Sequence, residues 1–279
     1  MIGKVCIVTG SNSGIGKETA LALSNKGATV VMVVRDKERG EKAQSEIINK
    51  TGNNDTFLMI CDLSSMDSIG KFVKEFTEKY DRLDVLINNA GAVFRERQTT
   101  VDGFERTLAV DYLGPFLLTH QLLPLLKSSA PSRIINLASG LYKSGKIDLD
   151  DLQSDKNYKG MNAYSSAKLM VVMYTYELAR RLKGTGVTAN AVLPGFVRTN
   201  LGRNSGSFLY ALEYLIVRPF QISAEKGAET SVYLASSDEV EGVAGKCFSK
   251  MRETTTSQAS YDQQTQKLLW DRTIELLKL

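Results

Sequence analysis

The chain of 279 residues is poor in several residue types, and each scarcity excludes a class of chemistry. Its one histidine, His120, sits mid-helix in an apolar stretch and reads as structural, which excludes any scheme that needs two histidines. The three cysteines, Cys6, Cys61 and Cys247, are far apart, odd in number and embedded in apolar strand-like runs. No pair of them has metal-ligand spacing, so neither a metal site nor a disulfide framework is expected. They read as small buried hydrophobes in a reducing compartment. No apolar run is long enough to span a bilayer. An apolar strand begins at Val5, so a secretory leader is not expected and a cytoplasmic location is. An excess of one charge is also missing. The net charge is +4, and basic residues alternate with acids, as from Arg35 to Lys42, so no nucleic-acid surface is expected.

What is present is the composition of a folded soluble protein, 43% hydrophobic and 24% charged. Short apolar runs alternate with helical segments. Strands are expected at Val5 to Val8, Thr29 to Val34, Phe57 to Cys61, Leu83 to Ile87, Arg133 to Leu137, Val187 to Val192 and Lys246 to Ser249. Helices are expected at Lys17 to Lys26, Lys37 to Lys50, from a Ser64 cap through Phe76, Gly103 to Lys127 with a bend near Gly114-Pro115, Asn162 to Leu182, Glu225 to Ala235 and Gln258 to Leu277. Such alternation predicts an α/β fold, a doubly wound Rossmann-type parallel sheet of about seven strands with helices on both faces. No repeat, low-complexity tract or linker interrupts it, so residues 1–279 are read as one dinucleotide-binding and catalytic domain.

The chemistry-bearing residues fall at the junctions. Gly10, Ser11, Asn12, Ser13, Gly14, Ile15 and Gly16 lie where the first strand turns into the first helix. Glycines there let the backbone approach a pyrophosphate, and the helix amino terminus offers N–H groups and a positive dipole end. Arg35 and Asp36 stand side by side at the end of the second strand. An arginine there suits the extra phosphate of NADP, and an acid suits the ribose hydroxyls of NAD. Lys17 adds a second cation, and the balance favours NADP(H) over NAD(H). Tyr164 and Lys168 are four apart, on one face of a helix, where an ammonium favours the phenolate and makes the phenol a better proton donor near neutral pH.

Taken jointly, Gly10 to Gly16, Asn88-Asn89-Ala90-Gly91, Ser139, Tyr164-x-x-x-Lys168 and Pro194-Gly195-x-Val197-x-Thr199 resemble the short-chain dehydrogenase/reductase family over the whole chain. Further segments look like its retinol dehydrogenase-like branch: Ser13 to Ala20, Val34-Arg35-Asp36, Glu177 to Gly184 and Leu269-Trp270-Asp271. The resemblance implies a role for each matching position. Asp62 and Leu63 lie near the adenine, and Asn89, Ala90 and Gly91 floor the cofactor cleft. Ser139 hydrogen-bonds the substrate oxygen, Tyr164 exchanges its proton, and Lys168 holds the nicotinamide ribose. Pro194, Gly195, Val197 and Thr199 shape the nicotinamide pocket. Relatives of this kind are often homodimers or homotetramers.

The chain departs from the family at Asp111, where asparagine is usual and helps to hold a water behind the lysine. A carboxylate there gives Lys168 a charged neighbour and leaves the phenol less acidified. Beyond the nicotinamide motif, about 200–222, comes a run rich in large apolar residues, including Phe208, Leu212 and Leu215. It is open to three readings: a core-covering helix, a substrate lid, or a surface for a membrane or partner subunit. The expected activity is NADP(H)-dependent interconversion of carbonyls and alcohols, on a small apolar aldehyde or ketone. A cofactor-binding sensor without turnover and an NAD-linked alcohol dehydrogenase are the alternatives.

Overall fold

The computed structural model describes residues 1–197 and 222–279. Among the described residues, eight strands form one sheet in the order β3-β2-β1-β4-β5-β6-β7-β8. They are β1 (Val5–Thr9), β2 (Thr29–Val34), β3 (Thr56–Ile60), β4 (Val85–Asn88), β5 (Ser132–Leu137), β6 (Val187–Val192), β7 (Cys247–Ser249) and β8 (Arg252–Glu253). The first seven pair in parallel. β1 and β4 are buried throughout, as continuous apolar runs covered on both faces must be. The expected architecture, a parallel sheet of about seven strands with helices on both faces, is therefore observed, with one addition. β8 is an eighth strand, antiparallel to β7, and it was missed because it is two exposed residues long. The turn before it uses Lys250 (φ 52°) and Met251 (φ 60°), a left-handed pair without the glycine or asparagine that signals such a hairpin.

Helices α1 (Gly14–Asn25) and α2 (Lys37–Thr51) cover one face with the helix Ala224–Ser236, designated α7. Helices α3 (Met66–Lys79), α5 (Gly114–Ser128), α6 (Gly160–Arg181) and the final helix Gln263–Leu277, designated α8, cover the other. Each face thus has its own apolar core, and the switch in strand order between β1 and β4 opens the cleft expected of such a sheet. The sequence boundaries shift by a few residues. Ser65, not Ser64, caps α3, accepting from the Ser68 N–H at 3.3 Å, because Ser64 is held by Asp62. The last helix starts after a 3₁₀ turn (Gln258–Tyr261), where Asp262 supplies a cap.

The helix expected from Gly103 begins instead with α4 (Arg106–Leu108), because buried Glu105 caps it through the Thr107 and Leu108 N–H groups at 2.8 and 2.7 Å. A π turn (Ala109–Leu113) joins α4 to α5 at the expected bend. Its cause is local: Pro115 has no N–H to give to the Asp111 carbonyl, and the Gly114 N–H reaches back to Ala109 instead. Glycine is required at 114, since a Cβ there would lie 2.3 Å from the Leu63 carbonyl oxygen. The three cysteines are buried, and burial pushes each thiol up to about 12, leaving them inert as nucleophiles. Among the described residues no helix is long and apolar enough to cross a membrane.

Candidate active site

The loop after β1 is stitched to the end of β4. Thr9 Oγ1 accepts from the Asn89 and Ala90 N–H groups at 2.9 and 3.0 Å, and Asn89 Nδ2 donates to the Thr9 carbonyl at 2.7 Å. The approach is so close that a Cβ at Gly10 would lie 2.9 Å from Ala90 Cα. Ser13, at the N-cap of α1, makes no side-chain capping bond, whereas Asp36, Ser65 and Asp262 cap their helices. The first N–H groups of α1 are therefore left for a ligand, with Asn12, Ser13 and Gly14 partly exposed beside them. Ser11 and Ile15 are buried, and the Ser11 hydroxyl has no hydrogen-bond partner among the described residues. These features fit a dinucleotide pyrophosphate.

Arg35 and Asp36 are both exposed at the carboxyl end of β2. Asp36 Oδ1 is already engaged as the α2 cap, accepting from the Arg39 N–H at 3.0 Å. One expectation needs correcting: Lys17 is not a free second cation, because its ammonium is bonded to Glu46 on the neighbouring helix α2. That bond holds the Glu46 carboxyl below its ordinary value. Asp62 accepts from Ser64 through both its N–H (2.9 Å) and its hydroxyl (2.7 Å), and the Leu63 side chain belongs to the core.

Ser139, Tyr164, Lys168 and Asp111 come together from three elements. Ser139 follows β5 and opens a 3₁₀ turn (Gly140–Ser144), its Oγ accepting from the Leu141 N–H at 3.3 Å. Tyr164 and Lys168 lie one turn apart on α6. Lys168 Nζ donates to the Leu137 carbonyl at 3.2 Å, sits 3.9 Å from Asp111 Oδ2, and lies 5.7 Å from the Tyr164 ring centroid. Gly91 closes the group from below, where a Cβ would be 3.2 Å from both Asp111 Oδ1 and Lys168 Nζ.

The electrostatics correct the expected acidification of the phenol. Burial pushes the Tyr164 hydroxyl up, and the Asp111 carboxylate pushes the same way. Only the hydrogen bond with Ser139 pulls it down. The Lys168 ammonium lies over the ring, 5.7 Å from its centroid, and donates to the Leu137 carbonyl. Asp111 itself is raised to about 6, chiefly by burial. Lys168 and the Ala92 N–H (2.7 Å from Oδ1) restrain the rise, and Glu105 adds to it. Glu105 was not singled out from sequence, as its burial has no local signal. Neither was Asn136, which accepts from Asn88 of the Asn88-Asn89-Ala90-Gly91 motif at 2.8 Å beneath the site.

Gly195 takes φ 85° after Pro194, and buried Val197 pairs with Ile222 in a parallel bridge. Thr199, Phe208, Leu212, Leu215 and the run 200–222, Ile222 apart, lie outside the described residues. Large apolar side chains stand exposed next to the site in sequence: Leu141, Met161 and Phe196, at 45%, 52% and 53%. A cavity of about 750 Å³ opens elsewhere, at the amino ends of β5 and β6, lined by Arg133, Arg180, Lys183 and Glu241, and includes none of these site residues.

The family model described as short chain dehydrogenase matches residues 4–208. Retinol dehydrogenase 12 of Bos taurus is 45% identical over 277 residues, covering 99% of this chain and 87% of that protein. Retinol dehydrogenase 14 of Homo sapiens is 43% identical over 286 residues, covering 97% and 85%. Among solved structures, an uncharacterized protein from Mycobacterium paratuberculosis superposes with a TM-score of 0.81 at 31% identity, over 99% of this chain and 94% of that one. Levodione reductase, at 22% identity and TM-score 0.72 over 89% and 96%, shares the fold.

Proposed function

The chain belongs to the short-chain dehydrogenase family, in its retinol dehydrogenase-like branch, and from that premise we propose that it reduces an apolar aldehyde or ketone with NADPH. The coarser activity, carbonyl–alcohol oxidoreduction with a nicotinamide cofactor, is the family's. The observation that carries the finer reading is the convergence of Ser139, Tyr164 and Lys168 above Gly91, at the carboxyl ends of β4 and β5. Once bound, the nicotinamide supplies the hydride that goes to the carbonyl carbon. Negative charge then grows on the carbonyl oxygen, where the Ser139 hydroxyl donates a hydrogen bond and the Tyr164 phenol donates the proton. A raised phenol suits this direction, because Tyr164 stays protonated throughout the neutral range. Lys168, held by Leu137 and Asp111, places its ammonium where a ribose hydroxyl can be bound. Leu141, Met161 and Phe196 offer the apolar surface for the substrate, and the relatives' names point to an apolar alcohol. The direct test is NADPH consumption with a panel of aliphatic and aromatic aldehydes. Tight NADPH binding without turnover on any of them would sink the reading in favour of a sensor.

NADPH is preferred over NADH in this reading because Arg35 is exposed at the end of β2 while Asp36 is engaged as a helix cap. Arg35→Ala is expected to weaken NADPH binding about ten- to a hundredfold, the worth of one hydrogen bond to a charged group. NADH affinity should stay nearly constant, and fluorescence titration of both cofactors checks it. An equal loss for both would remove Arg35 from the phosphate.

Asp111→Asn gives a pH prediction whose sign is fixed by charge. Alcohol oxidation needs Tyr164 to accept a proton, so its rate rises with pH as the phenol ionises. Removing the Asp111 charge removes one of the influences that raise the phenol, so the rising limb should move to lower pH. A pH–rate profile of oxidation in both proteins decides this, and superimposable profiles would deny Asp111 an electrostatic part.

A further inference from the structure

The segment leading into α6 runs from Gly145 to Lys159 outside any strand or helix, yet it is braced from within. Asp151 accepts from the Asp155 N–H at 2.7 Å and from the Lys156 N–H at 3.2 Å. The braced segment then meets the stretch 94–107 at three points. The Glu105 N–H donates to Gln153 Oε1 at 2.9 Å, and the Arg97 guanidinium is bonded to Asp155. At the third point the Tyr158 hydroxyl donates to the Phe94 carbonyl at 2.7 Å. The phenol has one proton and spends it there, so the buried Thr107 hydroxyl, 3.2 Å away, is the donor to the phenol oxygen. Packing around this junction is close. A Cβ on Gly160, the first residue of α6, would lie 2.2 Å from the Phe94 carbonyl oxygen and 3.0 Å from Arg95 Cα.

We infer that Tyr158 is a positioning residue, its hydroxyl pinning together the three segments that carry Gly91, Asp111 and the Tyr164–Lys168 pair. Phe94 follows Gly91 on the stretch leaving β4, and Thr107 belongs to α4, which runs straight into the π turn that holds Asp111. Tyr158 itself lies just ahead of α6, whose first two turns bear Tyr164 and Lys168. One oxygen thus joins all three. Burial and the Glu105 carboxylate push the Tyr158 phenol up to about 12, so it keeps its proton, and the bond to Phe94, throughout the neutral range. Lys168 has holds of its own on Leu137 and Asp111, whereas Tyr164 sits nearer the start of α6. Loss of the joint is therefore felt at Tyr164 more than at Lys168. The inference rests on the carbonyl-reductase reading for the role of Tyr164, and not for the joint itself.

Tyr158→Phe removes the hydroxyl and keeps the ring. With an apolar aldehyde at saturating NADPH, kcat is expected to fall about ten- to a hundredfold, the effect of displacing a reacting group by about 1 Å. NADPH affinity should stay nearly constant, because Lys168 and the loop after β1 keep their own bonds. A purely structural role for Tyr158 lowers the melting temperature and leaves kcat unchanged below the unfolding range, which would overturn the inference. Backbone hydrogen exchange of the full chain reads the joint without turnover. Faster exchange is expected in the stretches 92–99 and 159–168, with β1 to β3 unaltered, and wild-type exchange in both stretches overturns the inference. Thr107→Val cuts only the link to α4 and decides the matter should Tyr158→Phe fail to fold. Exchange across 106–113 is then expected to rise, and an unchanged rate there overturns the inference. A wild-type chain that reduces no aldehyde sinks the carbonyl-reductase reading alone, and the exchange measurement still decides whether Tyr158 pins the segments.

Discussion

Tyr164→Phe is expected to lower carbonyl reduction by about 10²–10⁴-fold, the usual contribution of a positioned general acid. The substitution removes a single oxygen. The ring stays packed on α6, and the Lys168 ammonium keeps its place 5.7 Å from the ring centroid, held by Leu137 and Asp111. NADPH affinity should therefore change little, and the loss should fall on kcat rather than on cofactor binding. Residual activity is expected from Ser139, which still presents a hydroxyl to the developing oxyanion. The measurement is kcat for an apolar aldehyde at saturating NADPH, with cofactor affinity titrated separately. Equal kcat in both proteins would take Tyr164 out of the chemistry.

The second large effect belongs to the other end of the cleft. Gly16→Ala should weaken dinucleotide binding by about 10²–10⁴-fold, corresponding to two lost charge-assisted hydrogen bonds. A Cβ at this position would sit 2.3 Å from Asn89 Nδ2 and 2.5 Å from the Gly10 carbonyl oxygen. Neither neighbour can yield freely, since Asn89 ties the loop to β1 through Thr9 and Gly10 is backbone in the turn itself. Relief must come from moving the first turn of α1, which carries the N–H groups left free by the uncapped Ser13. The variant will also lose stability, so binding is to be measured below the onset of its own thermal unfolding. Wild-type affinity in the folded variant would show that the loop does not hold the phosphates.

These predictions draw on two kinds of information. The order of elements was legible because β-strands buried on both faces leave continuous apolar runs, and because glycine at the β1–α1 junction marks the turn. The grouping of Ser139, Tyr164 and Lys168 was legible because a parallel sheet brings the carboxyl ends of its strands to one edge. Helix starts were less so: Glu105 caps α4 from a buried position, and the glycines that begin α1 hide its first turn.

By itself, the sequence determined the alternation of strands and helices, the glycine-rich turn between β1 and α1 and the spacing of Tyr164 and Lys168, all of which depend on residues near one another in the chain. Tertiary structure alone decided that Lys17 is taken by Glu46, 29 residues away in the chain. It also decided how the phenol is tuned. Burial and the Asp111 carboxylate both raise it, from an element whose approach to α6 no local spacing encodes. The reason is physical: helical and strand periodicity are properties of neighbouring residues, whereas desolvation and charge pairing exist only once distant segments enclose a group and shut out water.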